Sequence, residues 1–63
     1  MFPNLEAMQV KHEHTNAYVA KLMGLSLQAF ESKKKAGTFR LTEIQFLLVL
    51  YGVSFDYLFQ IME

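Results

Sequence analysis

The sequence predicts an all-α fold, a compact bundle of five short helices, and three observations support this prediction. Residues that favour helix starts and helix ends recur along the chain and divide it into short segments. Within these segments, apolar residues stand three or four positions apart, which is the spacing of one helix face. No segment shows the alternation of apolar and polar residues that is typical of a strand. The 63 residues, 52% of them hydrophobic and none of them cysteine, predict a single domain over residues 1–63 without disulfide bonds.

The first helix is predicted to run from residue 4 to about residue 13. Pro3 suits its first turn, because the N–H that proline lacks would have no partner there. The helix is expected to bury one face, formed by Leu5, Met8 or Gln9, and His12.

Helices 2 and 3 are predicted over residues 16–23 and from residue 27 to about residue 35. Thr15 and Ser26 stand directly before them, where a side-chain oxygen can accept from free N–H groups of the first turn. Gly24 follows helix 2, where the left-handed backbone that ends a helix costs glycine little. A capped helix, a glycine turn and a second capped helix form the helix-turn-helix pattern.

The last two helices are delimited in the same way. Thr42 is the expected cap of helix 4, over residues 43–51, and Gly52 ends that helix. Ser54 is the expected cap of helix 5, which should run from residue 55 to about residue 61. The sequence therefore predicts five helices with tight connections.

The formal net charge is zero, yet the charges are unevenly distributed. Residues 21–40 carry five basic side chains and one acidic side chain, a local charge of +4. The remaining residues carry one basic and five acidic side chains, a charge of −4. Because a polyanion responds to a local patch more than to a total, the positive part of the chain is a candidate contact for nucleic acid.

Several motifs, in order over nearly the entire chain, resemble the phage lambda-type repressor/Cro family of helix-turn-helix proteins. The motifs are Thr15-Asn16, Val19-Ala20, Met23-Gly24-Leu25-Ser26, Phe30, Leu41-Thr42-Glu43 and the segment 51–59. The opening residues 2–7 are similar to those of small phage or prophage members. The resemblance implies a five-helix bundle that is usually dimeric on DNA, with helix 3 in the major groove.

The resemblance also implies DNA contacts. Asn16 stands where the family commonly has a glutamine that reaches a backbone phosphate. On helix 3, Gln28 has the donor and acceptor that read adenine, Glu31 could accept from cytosine N4, and Leu27 could touch a thymine methyl. Lys33 departs from the family, which often has an apolar residue there. The residues expected to contact DNA are Asn16, Ser26, Leu27, Gln28, Glu31, Ser32, Lys33, Lys34, Lys35 and Arg40.

The run of Lys33, Lys34 and Lys35 has two interpretations. With Arg40, the lysines suit phosphate contacts, which position a protein on DNA without specifying sequence. The same run could be no more than a solvated helix end. The helix-turn-helix pattern before it favours the phosphate contacts.

Helix 4 is apolar on nearly all sides. Its residues at core spacing already form a sufficient stripe, so the apolar residues on its other side need a second covering. We therefore predict a protein–protein interface on helices 4 and 5, most simply a two-fold homodimer. Its residues are Phe46, Val49, Leu50, Tyr57, Ile61 and Met62. Alternatively, all apolar residues of helix 4 belong to the core.

The sequence offers little for catalysis or for metal binding. His12 and His14 are two positions apart, so they would not share a helix face, and no metal site is expected. There is no Ser-His-Asp order, glycine-rich phosphate loop or convincing carboxylate pair. We expect no enzyme, cofactor or small-molecule substrate. The longest apolar run, residues 46–51, is too short to span a bilayer, and a cytoplasmic location at the nucleoid of a bacterial host is expected.

These observations predict a sequence-specific DNA-binding transcriptional regulator, Cro-like or repressor-like. Its partner would be double-stranded operator DNA, and it would bind as a homodimer. An alternative is a protein that keeps the helix-turn-helix fold but binds another protein, such as a repressor or a defence effector. The zero net charge, Glu31 and the apolar helix 4 favour that alternative.

Overall fold

The computed structural model describes residues 2–61, which fold into five α-helices and contain no strand. The helices are α1 (Pro3–Lys11), α2 (Asn16–Leu22), α3 (Leu27–Ala36), α4 (Leu41–Tyr51) and α5 (Phe55–Leu58). The predicted all-α bundle is therefore confirmed, and α2 and α3 pack against each other as a helix-turn-helix. None of these helices is both long enough and apolar enough to cross a membrane.

Three of the helices begin with a hydroxyl side chain, as the sequence predicts. Thr15 Oγ1 accepts from the Tyr18 N–H at 3.1 Å, at the start of α2. Ser26 and Ser54 cap α3 and α5 through equivalent bonds of 3.1 and 3.3 Å. Each cap supplies a partner to an N–H group that the helix itself leaves without one.

The turn between α2 and α3 depends on Gly24, whose φ is +70°. Met23 ends α2, and the Leu25 N–H turns back to donate to the Ala20 carbonyl at 2.8 Å. A side chain at Gly24 would be strained by this left-handed backbone even though the space around it is open. The local sequence therefore determines the turn that connects α2 to α3.

The start of α4 differs from its prediction. Arg40, not Thr42, is the N-cap residue, and α4 begins at Leu41. The Glu43 carboxylate reaches back and accepts from the Arg40 N–H at 2.8 Å, so the helix gains an earlier turn. The arginine side chain has no acceptor, so only this half of a capping box is formed.

Two other helices are shorter than predicted. Helix α1 ends at Lys11, and His12, expected on its buried face, is exposed. Helix α5 ends at Leu58 because Phe59 turns into an aromatic cluster, where its ring centroid lies 5.1 Å from that of Phe2 and 5.9 Å from that of Phe39. Long-range packing therefore ends α5 before its apolar pattern does.

The core takes one large, fully buried side chain from each helix. These residues are Leu5, Val19, Phe30, Leu47 and Leu58. Burying each one stabilises the fold by about 1.5–3 kcal/mol relative to leaving it exposed. Every helix therefore has one side fixed against the core.

Candidate functional site

The outer face of α3 is the exposed side of the helix, and it excludes the buried Phe30 and the half-buried Lys33 and Lys34. Its members are all exposed, and they are Leu27, Gln28, Glu31, Ser32 and Lys35. The sequence places all five at potential DNA contacts, and the structure brings them together on one side of one helix. Ser26 stands just before them, exposed, with its Oγ already accepting from the Ala29 N–H. This face offers hydrogen-bond donors and acceptors, an apolar side chain and charges of both signs.

Lys34 does not belong to the outer face of α3. Its side chain is only 11% exposed, and its ammonium group lies 5.6 Å from the centroid of the Phe30 ring. It donates to Gln9 Oε1 at 2.8 Å and to Asn16 Oδ1 at 2.9 Å, and it forms an ion pair with Glu6. A lysine has three ammonium protons, so these three acceptors use all of them. Lys34, expected at a phosphate, instead joins α1, α2 and α3.

Lys33 also makes an internal ion pair. Its Nζ lies 3.1 Å from Glu43 Oε1, and both side chains are mostly buried, with 20% and 14% exposure. Burial raises the pKa of the Glu43 carboxyl, but the hydrogen bond from the Arg40 N–H and the Lys33 ammonium outweigh burial and hold this pKa below its ordinary value. Lys33 thus joins α3 to α4.

The predicted phosphate-binding run is therefore divided. Of the three consecutive lysines, only Lys35 is exposed, and Lys33 and Lys34 are occupied by acidic partners. Lys21 and Arg40 are also exposed, so they remain suited to a polyanion. The spacing along α3 explains this outcome, because residues 33 and 34 lie on the flanks of the buried Phe30 side.

Asn16 is the centre of a polar network at the start of α2. Its Oδ1 accepts from Lys34 and, at 3.1 Å, from Gln9 Nε2. Its Nδ2 donates to Glu31 Oε2 at 3.3 Å. The network borders an open depression of about 290 Å³, lined by Glu6, Asn16, Glu31, Lys34 and Lys35. The family resemblance implies a phosphate contact for Asn16, whereas its side chain here connects Lys34 to Glu31.

The outer face of α4 is the helix side opposite Leu47 and Tyr51. It is exposed and carries no charge, and its members are Leu41, Thr42, Gln45, Phe46 and Val49. Val49, at its centre, is 84% exposed. The predicted interface is thus divided as well, because Leu50 is half-buried and packs against the core. Tyr57 and Ile61 are exposed, and Met62 lies outside the described residues.

The apolar surface extends to residues that the sequence reasoning missed. Leu41 is 70% exposed, and on α2 both Tyr18 and Leu22 are partly exposed. Leu22 and Phe46 line the same shallow depression between α2 and α4. The signal was present in the sequence, because Tyr18 and Leu22 are four positions apart and share one side of α2. An apolar surface therefore crosses from α4 to α2.

The two histidines lie closer together than predicted. Their ring centroids are 5.6 Å apart, because α1 ends at Lys11 and Glu13 adopts a left-handed backbone with φ of +56°. His14 Nδ1 and the Tyr51 hydroxyl form a hydrogen bond of 3.0 Å. Burial, with a smaller contribution from Tyr18, raises the pKa of Tyr51 to about 12. No cluster of three metal-ligating side chains occurs within residues 2–61.

Comparison with protein-family models finds no match to this chain. Neither the curated proteins nor the solved structures contain a match.

Proposed function

We propose that this protein is a sequence-specific DNA-binding transcriptional regulator of phage or prophage type, Cro-like or repressor-like, which binds operator DNA as a dimer in the bacterial cytoplasm. One observation carries the proposal: the helix-turn-helix holds α3 against the core by Phe30 and leaves the outer face of α3 exposed. Recognition helices of this motif present such a face to the major groove. The protein acts by binding alone, without a cofactor or a catalytic step.

The outer face of α3 has side chains for base reading. The Gln28 amide can donate and accept at the edge of adenine, and the Ser32 hydroxyl can bond to several bases. Leu27 can contact a thymine methyl group. Because Lys33 and Lys34 have internal partners, phosphate binding falls to Lys21, Lys35 and Arg40.

The outer face of α4 supports the dimer. In a two-fold interface, residues near the axis meet their own copies, so a charged side chain there would meet a like charge. This face has no charged side chain, and Val49 stands at its centre. A second copy of the chain is therefore a chemically suitable partner for it.

Salt-titrated binding to duplex DNA tests the proposal. Affinity for selected duplexes should fall as salt rises, with a slope of log K against log salt of about −5 for the roughly six phosphate contacts of a dimer, about three from each chain. Lys35→Gln removes one contact from each chain and should reduce the magnitude of this slope by about 2. A duplex selected from a random pool would give the operator half-site. If no duplex is bound at about 50 mM salt, the proposal is wrong.

A second candidate is a regulator that binds another protein, such as a repressor or a defence effector. Two observations favour it. Lys33 and Lys34 form internal ion pairs, so fewer basic side chains are available on the surface of α3 than the run of three lysines indicates. The outer face of α4 is uncharged. A stoichiometric complex with such a protein, lost in Val49→Glu and accompanied by no duplex binding, would distinguish this function from the first.

A further inference from the structure

We propose that Asn16 positions the carboxylate of Glu31 to read a cytosine in the major groove. This inference rests on the DNA-binding function proposed above. It gives Asn16, which the family resemblance assigns to a phosphate, a part in base specificity. It also gives Glu31, an acidic side chain on a DNA-facing surface, a defined ligand, which is the exocyclic amino group of cytosine.

The orientation of the Asn16 amide follows from its neighbour. Lys34 can only donate hydrogen bonds, so the Asn16 atom that faces it at 2.9 Å must be the oxygen. Gln9 Nε2 donates to the same oxygen, at 3.1 Å. The amide nitrogen therefore points the other way, where Glu31 Oε2 accepts from it at 3.3 Å. Because Lys34 can only donate, Glu31 must face the amide nitrogen of Asn16.

Lys34 is itself held in place from three sides. Gln9 and Glu6, both on α1, bind its ammonium group together with Asn16, and the same ammonium group lies 5.6 Å from the centroid of the buried Phe30 ring. An unbroken set of contacts therefore leads from the core to the carboxylate on the outer face of α3. A side chain on a surface helix would otherwise sample several rotamers, and contacts of this kind reduce that freedom.

A fixed carboxylate distinguishes cytosine from the other bases. Cytosine N4 presents a donor in the major groove, and a carboxylate can only accept. Thymine O4 and the N7 and O6 atoms of guanine are acceptors, which a carboxylate opposes. Adenine N6 donates, but the acceptor N7 lies beside it. Lys35, one helix turn after Glu31 on the same face, offsets part of the repulsion between Glu31 and DNA phosphates.

Selection of duplexes from a random pool tests the reading of cytosine. Wild type should select cytosine at one position of each half-site, and replacing that base should weaken binding by about 10-fold. Glu31→Gln should change the selected base at that position to adenine, since a glutamine can both donate and accept there. Gln28→Ala is the matched control, and it should alter a different position.

Asn16→Asp tests the positioning. An aspartate keeps an oxygen for Lys34 and for Gln9, so the network that holds the helices together is retained. It removes the amide donor and sets a second carboxylate against Glu31. The ratio of affinities for cytosine and for other bases at that position should fall from about 10-fold towards 1. A uniform loss of affinity from the added charge does not alter this ratio.

The double variant Asn16→Asp with Glu31→Gln supplies a rescue. The new carboxylate can accept from the new amide, so discrimination at that position should return, with adenine preferred. An unchanged selected base in Glu31→Gln, or full cytosine preference in Asn16→Asp, would overturn this inference while DNA binding persists. If wild type binds no duplex at all, the DNA-binding function fails, and the assignment of Glu31 fails with it.

Discussion

The outer faces of α3 and α4 have the same architecture and opposite chemistry. Each belongs to a helix with one fully buried side chain, Phe30 in α3 and Leu47 in α4. The outer face of α3 offers an amide, a hydroxyl and charges of both signs, whereas that of α4 has no charge. The first suits the mixed polar edge of DNA bases, and the second suits an apolar partner. Both faces are exposed, and they differ in the chemistry of their side chains.

A second contrast lies within α3. Lys35 extends from the outer face, while Lys33 and Lys34 turn to the flanks and bind Glu43, Glu6 and the amides of α1 and α2. Consecutive lysines thus have different roles, because Lys33 and Lys34 connect helices and Lys35 is exposed to solvent.

The largest effect is expected from removing the buried anchor of α3. Phe30→Ala should lower the free energy of unfolding by about 3–5 kcal/mol, because it leaves a cavity in the core. A domain of this size has little more than that in total, so helical circular dichroism should be largely lost. Gln28→Ala, at an exposed position on the outer face of the same helix, should change stability by less than about 0.5 kcal/mol. Similar melting curves for the two variants would contradict the assigned faces.

A charge at the centre of the outer face of α4 should prevent the proposed dimer from forming. Val49→Glu would bury an unpaired carboxylate next to its own copy, at a cost of about 2–5 kcal/mol, and sedimentation should report a monomer. The control is Val10→Glu on α1, at a residue that is 74% exposed and outside the proposed interface. This control should keep the dimer. An unchanged oligomer in Val49→Glu would exclude this face.

The two lysines at the end of α3 should respond differently to the same change. Lys34→Met keeps an apolar stem but leaves Glu6, Gln9 and Asn16 without their shared donor, so stability in urea should fall by about 1–3 kcal/mol. Lys35→Met should change stability by less than about 0.5 kcal/mol and should weaken DNA binding at low salt. If Lys34→Met instead weakened DNA binding and left stability unchanged, Lys34 would be a phosphate contact.

A smaller effect is expected at acid pH, where the join between α3 and α4 weakens. The pKa of Glu43 is lower in the folded chain than in the unfolded one, so the unfolded state binds more protons as pH falls. Its contribution is present above the ordinary carboxyl pKa of 4.5 and is lost as pH falls through the folded value. Glu43→Gln should lower the free energy of unfolding by about 1 kcal/mol at neutral pH. It should also make the free energy of unfolding depend less on pH in the acid range.

The exposed Glu13 supplies the control for this pH dependence. Glu13→Gln should follow wild type in urea unfolding between pH 3 and pH 7, a range of about 4 units that brackets carboxyl titration. If Glu13→Gln and Glu43→Gln reduce the pH dependence of the free energy of unfolding by the same amount, Glu43 makes no distinct contribution to it.

The features that the sequence predicted correctly depend on neighbours within about four positions. Thr15, Ser26 and Ser54 each cap the N–H group three residues ahead, and Gly24 and Gly52 adopt positive φ where their helices end. Apolar spacing and caps together gave the number of helices and their order. The residues of the outer face of α3 were expected from the family resemblance, and helix periodicity agrees with it, because residues 27, 28, 31, 32 and 35 lie on one side.

Two of the features that were missed depend on residues far apart in the chain. The occupancy of Lys34 requires α1, 25 or more residues earlier, to bring Gln9 and Glu6 to it. The early end of α5 requires Phe59 to meet Phe2. The proximity of His12 and His14 depends on the left-handed Glu13, a conformation uncommon outside glycine that sequence patterns rarely signal.

By itself, the sequence determined five helices and the caps of α2, α3 and α5, because hydrogen bonds to nearby N–H groups and helix periodicity are local. Only the tertiary structure decided which charges are available to a ligand. It bound Lys33 to Glu43 and Lys34 to Glu6, and it turned Asn16 towards Glu31. The physical reason is that a charged or amide group binds whichever partner folding brings within about 3 Å, and its own position in the chain does not specify that partner.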